Sequence, residues 1–287
     1  MMSPGKQVLG LSALAVVAFF GLRSLPDTQC TFMHAEHQPV LADGLEFCGV
    51  NEEANFYSPK AMRFPVQLKV VLAEGGPAGE VRLLKDNGHP YYAHEIKVSH
   101  TRQVHLHLRQ LGGARLYAHL HPSPADDGAW RFTLPAHLAD GSPLGAYVDF
   151  TDIRTGRTML AEAMVQGGAA RSAATAPLPR NRVAAMTLSS DVAGSSAMVR
   201  FTLTGPPGRP LRLKPIMGSL GHVVVFSVEQ PTAGYAHLHP TLEGGEYEPE
   251  PVLAFRLRLP AAGTYDLWLN LNDGEDELLR TTLVVRP

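Results

Sequence analysis

Beyond residue 60, the hydrophobic residues form short runs instead of recurring with a helical period. Runs at 64–72 (FPVQLKVVL), 104–108 (VHLHL), 198–203 (MVRFTL) and 223–228 (VVVFSV) are rich in β-branched residues, and turn residues separate such runs. No segment after residue 25 keeps a convincing helical period. The pattern therefore predicts an all-β fold in which two sheets pack face to face, with about seven strands in each sandwich.

The N-terminal pattern is different, because 8–22 (VLGLSALAVVAFFGL) carries no charge and ends at Arg23. A cleaved signal peptide would need small residues just before the cut, and none follow this run. A membrane helix needs about 20 residues, a length that is reached if Arg23 extends its side chain to the interface. We therefore predict a membrane anchor over residues 1–25 that contacts the lipid bilayer, with the remaining chain on the periplasmic, extracytoplasmic side.

The chain contains an internal duplication. The hexapeptide YAHLHP occurs at 117–122 and again at 235–240. Its flanks repeat in the same order, with 130–135 (WRFTLP) parallel to 255–260 (FRLRLP) and 145–150 (GAYVDF) parallel to 263–268 (GTYDLW). A repeat of this length is a whole domain. The predicted organisation is the anchor, a cysteine-containing extended segment (26–60), a first sandwich (61–165), a small polar linker (166–182) and a second sandwich (183–287).

The composition and the sequence motifs limit the classes of function that this protein can have. Lys and Arg number 25 against 27 Asp and Glu, so the net charge of −2 leaves no basic surface for nucleic acid. Standard catalytic signatures such as GxSxG, a P-loop or HExxH are absent, and we predict that the protein is not an enzyme. The two cysteines, Cys30 and Cys48, are expected to form a disulfide in an oxidising compartment.

Histidine is the most informative residue type, because six of the 13 histidines lie between His94 and His121. Residues i and i+2 of a strand share a face, so the two histidines of each HLHP motif project together. Two further potential ligand residues, five positions apart, precede each motif at matched spacing. The sequence thus predicts one metal site per copy, formed by His100, His105, His119 and His121 in the first and by Met217, His222, His237 and His239 in the second.

The ligand types favour particular metals. Imidazole suits copper, zinc and nickel, whereas thioether favours copper, chiefly Cu(I). We therefore predict copper in the second site, and copper or zinc in the first, where Glu95 or a water could add a ligand. A simpler interpretation is that the HLHP histidines stack on tyrosine and hold a corner of the sandwich. His107, which falls where the second copy has Val224, is predicted to face solvent.

The stretch 100–122 (HTRQVHLHLRQLGGARLYAHLHP) resembles a family of bacterial secreted or membrane-anchored β-sandwich proteins with the pattern HEKxMHL, FxHxHP and PGxY. The second copy resembles a related form with MGxxGH. The resemblance implies cupredoxin-like or immunoglobulin-like sandwiches, heavy-metal or copper handling, and ligand roles for the eight residues above. Thr101 and Arg102 depart from the pattern, where Glu and Lys are usual. The segment 30–50 is similar to a small heavy-metal-binding module but lacks one of its cysteines.

Two functions fit these observations. The first is a membrane-anchored, extracytoplasmic, non-enzymatic metal-binding protein, with copper as the favoured metal. The second is a structural subunit of a larger respiratory or photosynthetic membrane complex, with vestigial metal sites and a protein partner in that complex.

Overall fold

A computed structural model of the protein describes residues 4–23, 56–58, 63–166, 183, 185–193, 196–230, 234–244 and 248–286. The chain forms two compact units, Met1–Glu36 and His37–Pro287. Within the first, α1 runs from Pro4 to Arg23. Among the described residues, no helix combines the length and apolar character needed to cross a bilayer. This finding does not support the membrane anchor predicted over residues 1–25.

The described residues of the second unit form strands and two short 3-10 helices, Ala93–Glu95 and Ala136–Leu138. We call residues 63–166 the first lobe and the described residues of 183–286 the second lobe. The strands of the first lobe are β1 Val66–Leu72, β2 Ala78–Lys85, β3 Ile96–Lys97, β4 Val104–Gln110, β5 Tyr117–Leu120, β6 Ser123–Pro124, β7 Ala129–Thr133, β8 Leu144–Asp152 and β9 Thr158–Val165. Those of the second are β10 Ala185–Ala193, β11 Ser196–Thr204, β12 His222–Ser227, β13 Tyr235–Leu238, β14 Thr241–Glu243, β15 Val252–Arg258, β16 Gly263–Asn272 and β17 Asp276–Val285. All four predicted strand runs lie on observed strands.

Each lobe contains two antiparallel sheets around one hydrophobic core. In the first lobe, the sheet β1-β2-β7-β6 faces the sheet β3-β8-β4-β5, and β9 pairs with the far edge of β8. Side chains from both sheets, including Leu83, Leu106, Trp130 and Val148, meet in the core. In the second lobe, the sheets β10-β11-β15-β14 and β13-β12-β16-β17 enclose a corresponding core. The predicted all-β architecture of packed sheets is therefore confirmed.

The strand registers show how far the duplication extends. Val81 pairs with Trp130 in the first lobe, and Val199 pairs with Phe255 in the second, as the aligned motifs require. The alignment of 145–150 with 263–268 is wrong, however. His105 pairs with Asp149 and its counterpart His222 pairs with Asn270, so the true offset is three residues longer. An odd shift moves every side chain of a strand to the other face of its sheet.

This shift explains two aromatic residues that the sequence alignment equated. Tyr265 packs into the hydrophobic core of the second lobe. Tyr147, by contrast, lies in a separate cluster with Tyr117 and Leu160 of the first lobe and Phe226 and Trp268 of the second. The structural counterpart of Tyr147 is therefore Trp268, which occupies the equivalent register position. This cluster packs the sheet that carries β4 against the sheet that carries β12, so the two lobes meet face to face.

Several predicted features fall outside the described residues. These are the disulfide between Cys30 and Cys48, nearly all of the linker at 166–182, and most of the segment at 26–60. Within that last segment, Tyr57 forms an antiparallel bridge with Tyr235, through backbone N–H···O distances of 2.7 and 3.0 Å. The domain boundaries stay predictions.

Candidate metal centre

Eight histidines converge where the two lobes meet. Ring centroids are 5.6 Å apart between His105 and His237, 5.2 Å between His119 and His237, and 4.1 Å between His100 and His239. Each of these pairs joins a residue of the first lobe to one of the second. The members of this histidine cluster are His100, His105, His107, His119, His121, His222, His237 and His239. The sequence predicted two separate sites, whereas the structure brings both sets together.

A tight turn positions the first histidine of β4 and of β12. His100 and Thr101 have φ of 50° and 65°, and Met217 and Gly218 have φ of 51° and 79°. Positive φ at both central residues is the geometry of a type I′ turn, and for residues with a Cβ it costs free energy. Each turn directs a carbonyl oxygen at the following histidine: His105 Nε2 lies 3.3 Å from Ser99 O, and His222 Nε2 lies 2.9 Å from Ile216 O.

The YAHLHP segments supply the next ligands. β5 and β13 end at the leucine of each motif, and Leu120 and Leu238 pack against the cores. The flanking histidines project the other way, so that the ring centroids of His119 and His121 are 4.6 Å apart. The predicted alternation is confirmed. In both lobes the first motif histidine meets the turn-anchored one, with 3.2 Å between His105 Nδ1 and His119 Nε2 and 3.2 Å between His222 Nδ1 and His237 Nε2.

The contacts between lobes follow an approximate two-fold relation. His105 faces His237 at 5.6 Å between centroids, and the equivalent pair, His222 and His119, is 6.3 Å apart. His119 and His237 are equivalents that face each other directly at 5.2 Å. One chain thus contains an isologous interface of the kind that homodimers form.

Two substitutions break this symmetry at the centre. The first lobe carries His107 and Asp149 where the second has Val224 and Asn270. Asp149 Oδ2 accepts hydrogen bonds from His107 Nε2 at 3.0 Å and from the Tyr235 hydroxyl at 3.1 Å, and lies 3.3 Å from His237 Nδ1. The other nitrogen of His107 lies 2.7 Å from the Tyr117 hydroxyl, which donates to it. Asp149 therefore links a tyrosine and two histidines drawn from both lobes.

The prediction that His107 faces solvent is wrong, since this side chain is fully buried. The alternation of β4 does direct it away from the core of its own lobe. The second lobe covers that outer face of the sheet, and nothing in the local sequence signals this packing.

The hydrogen bonds of the second lobe orient two lone pairs toward each other. His237 Nδ1 carries the proton that faces Asp149, which leaves a lone pair on Nε2. His222 Nε2 carries the proton that faces Ile216 O, which leaves a lone pair on Nδ1. These two unprotonated nitrogens are the pair separated by 3.2 Å. A cation between them, either a proton or a metal ion, is needed to make this contact favourable.

His121 and His239, the second histidines of the two motifs, have nitrogens without partners. His121 Nε2 and both nitrogens of His239 are buried from solvent, and they have no hydrogen-bond partner among the described residues. A buried polar atom without a partner costs about 1–3 kcal/mol unless something binds it. The unpartnered nitrogens of His239 lie beside the facing lone pairs, since the His222 and His239 rings are 4.4 Å apart.

Burial favours the neutral form of seven of the clustered imidazoles. It lowers the pKa of His100 and of His107 to about 4 and that of His121 to about 3. Burial likewise lowers the pKa of His105, His119, His222 and His239. The pKa of Asp149 is held well below its usual value because His237 and His107 oppose the effect of burial. Neutral imidazole is the form that binds metals, so protons compete little near neutral pH.

Three groups of histidines bring their ligand atoms within 4.8 Å of one another. We call His105, His119 and His121 the first trio, and His222, His237 and His239 the second trio. The third group, His107 with His119 and His237, lies between them. Two ligands on one tetrahedral ion, with metal–nitrogen bonds of about 2.0 Å, have their nitrogens roughly 3.3 Å apart. The observed 3.2 Å distances in both trios are compatible with this geometry.

The remaining predicted ligands lie close to the trios in different ways. His100 contacts His239 across the lobe interface, although the sequence predicted that His100 belongs to the first site and His239 to the second. Met217 is buried at the turn position equivalent to His100. Glu95 is not in the histidine cluster, because its carboxylate pairs with Lys85 Nζ at 2.6 Å and accepts from Tyr92 N. Asp149 was not predicted as a site residue, because its position beside the histidines depends on the register between β4 and β8.

A buried ion pair joins the lobes beside the histidine cluster. Arg109 and Asp266 are both fully buried, and Arg109 Nη2 lies 3.2 Å from Asp266 Oδ2. Arg109 Nη1 also donates to Ser227 O at 2.9 Å. Arg115 and Arg280, from opposite lobes, donate to the same carboxylate at 2.9 and 2.8 Å. These contacts hold the two histidine-bearing sheets in register.

Comparisons with known proteins do not identify a function for this site. A family model described as a domain of unknown function (DUF8832) matches residues 181–286. No curated protein matches the chain. The motif-based resemblance to cupredoxin-like, copper-handling proteins therefore gains no support from these comparisons.

Among solved structures, the chain is similar to a segment of two fibronectin type-III domains from chicken tenascin, with 13% identity, a TM-score of 0.24, and coverage of 76% of this chain and 97% of that one. It is also similar to the FN1–FN3 domains of chicken CNTN1, with 9% identity, a TM-score of 0.23, and coverage of 76% and 65%. The chicken interferon gamma receptor alpha chain matches with 9% identity, a TM-score of 0.23, and coverage of 78% and 99%. Values this low support no conclusion about function.

Proposed function

We propose that this protein binds a transition-metal ion, with copper as the favoured metal, at the second trio of histidines. The observation that carries the proposal is the pair of unprotonated nitrogens, His222 Nδ1 and His237 Nε2, facing each other at 3.2 Å beside the unpartnered nitrogens of His239. An ion at this position would accept all three lone pairs and remove their unfavourable contact.

The chemistry of the ligands favours copper. Among divalent first-row ions, Cu²⁺ binds nitrogen ligands most tightly, and imidazole also suits Cu(I) and zinc. Burying a charge is costly, and the cost rises steeply with the charge of the ion. Imidazole binds a metal in its neutral form, so the three ligands would contribute no charge, and Asp149 is the carboxylate that contacts the trio. A monovalent ion with one carboxylate leaves little net charge in the interface, which supports Cu(I) over a divalent ion.

The trio lies near the protein surface on one side. His222 is fully buried, whereas His237 and His239 are partly exposed residues, and these two side chains would have to move for an ion to reach the buried nitrogens of His239. The extracytoplasmic, non-enzymatic role in metal capture or delivery inferred from the sequence fits such a site. The scaffold alternative requires no metal and is the conclusion that a negative result would favour.

The test is a competition titration of the full-length chain with Cu(I) buffered by a chelator. Binding of about 10–16 kcal/mol shared over four ligands assigns roughly 3 kcal/mol to each, so His237→Ala with His239→Ala should weaken the binding step of the second trio by at least ~100-fold. The matched control, His89→Ala with His94→Ala, removes two exposed histidines and should leave that step unchanged. A wild-type chain that takes up no metal from the buffered solution would refute the proposal.

Asp149 provides a second prediction. The variant Asp149→Asn keeps the shape of the side chain but removes the charge that orients His237, so metal affinity should fall about 10- to 100-fold. Asp152→Asn is a suitable control on the same strand, because Asp152 instead accepts the backbone N–H groups of Arg154 and Thr155. Equal affinities for the Asp149 variant and the wild type would show that this carboxylate does not tune the site.

A further inference from the structure

We infer that the histidine cluster is a binuclear centre, in which the first and second trios each hold one ion on either side of the lobe interface. This inference rests on the proposed function, because it assigns a second ion to the same cluster. It differs from two independent sites, one per lobe, since the two ions would be close enough to influence each other.

The two trios are equivalent parts of a duplicated structure. Each comprises a histidine that follows a positive-φ turn and the two histidines of a YAHLHP motif. The same 3.2 Å nitrogen–nitrogen distance occurs in both. Each also has an unpartnered, buried nitrogen at the second motif histidine, His121 or His239. The first trio therefore presents three equivalent histidines, which can bind a second ion of the same kind.

The trios are adjacent. A ligand atom of His119, from the first trio, and one of His237, from the second, lie within 4.8 Å of each other. Adding two metal–nitrogen bonds of about 2.0 Å places the ions within roughly 9 Å of each other. At this separation, in a medium with an effective dielectric constant near 20, one monovalent ion weakens binding of a second by roughly 20-fold, and by more if the ions are closer.

The asymmetric residues set the order of filling. Asp149 belongs to the first lobe, but its carboxylate faces His237 of the second trio at 3.3 Å. The structure gives the second trio a countercharge and a fixed tautomer, whereas Asn270 at the equivalent position of β16 carries no charge. The second trio therefore fills first, and the first trio binds the weaker, second ion.

Native mass spectrometry of the full-length chain, titrated with Cu(I), tests the number of ions. We expect one ion per chain and then a second at roughly 20-fold or higher free copper. A chain that saturates at one ion would overturn the binuclear centre and leave the proposed function intact. A chain that binds none would overturn both.

A matched pair of variants tests the coupling. His121→Gln and His239→Gln change equivalent motif positions. His121 Nε2 and both nitrogens of His239 make no hydrogen bond among the described residues, so replacing them breaks none there. The His121 variant should bind one ion with the affinity of the wild-type first step. In the His239 variant, the first trio should bind its ion roughly 20-fold more tightly than the wild-type second step, because the repelling neighbour is gone. An unchanged affinity in this variant would show two independent sites, and circular dichroism verifies that both variants are folded.

Discussion

Replacing Asp266 with asparagine should lower the free energy of unfolding by about 3–5 kcal/mol, because it leaves the buried guanidinium of Arg109 without its carboxylate. Neither side chain of this pair has any exposed surface, so water cannot solvate the charge that remains. Burial already lowers the pKa of Arg109, with Asp266 as the main opposing influence. Urea denaturation of the wild type and the variant, followed by circular dichroism, measures the difference.

Two further variants separate this charge effect from a general loss of packing. Arg280→Ala removes a partly exposed partner of the same carboxylate and should cost no more than about 1 kcal/mol. The double variant Arg109→Met with Asp266→Leu removes both buried charges together, and replacing such a pair by apolar residues is often neutral or stabilising. If Asp266→Asn alone unfolds at the wild-type urea concentration, the buried ion pair does not hold the lobes together.

Saturating copper should stabilise the full-length chain by about 4 kcal/mol when free metal is 1,000 times the dissociation constant, since the ion binds the folded cluster and not the unfolded chain. For a protein of this size, that stabilisation raises Tm by roughly 8–16 °C. Copper stabilises the folded state because His222 lies 15 residues before His237 in the chain, and the fold brings the two side chains together. Scanning calorimetry with buffered Cu(I), and again after adding a strong chelator, measures the shift.

The double variant His237→Ala with His239→Ala serves as the control for this shift. It lacks two of the three ligands of the second trio, so copper should raise its Tm less than that of the wild type, and the shift that remains comes from the intact first trio. A wild-type Tm that is the same with copper and with chelator would contradict a metal site built by the tertiary fold. Equal shifts in the wild type and the variant would place the stabilising metal outside the second trio.

The strand content, the duplication and the alternating faces of the YAHLHP motifs could be predicted from the amino-acid sequence alone. These features depend on local rules: β-branched runs form strands, and residues two apart share a face. The pairing of His119 with His121, with Leu120 turned into the core, follows from alternation alone. Local rules also identified seven of the eight clustered histidines as candidate ligands without any knowledge of the fold, the exception being His107.

The joining of the two predicted sites into one cluster could not be predicted, because it depends on how the lobes pack. The outer faces of β4 and β12 pack against each other, and this contact buries His107, brings His100 to His239 and places Asp149 beside His237. None of these contacts has a local signal, because packing between the two lobes joins residues more than 80 positions apart, and strand register is set by pairing between separate strands. A histidine on the outer face of a single sandwich would be solvated; against a second sandwich, it becomes a buried ligand or a partner of one.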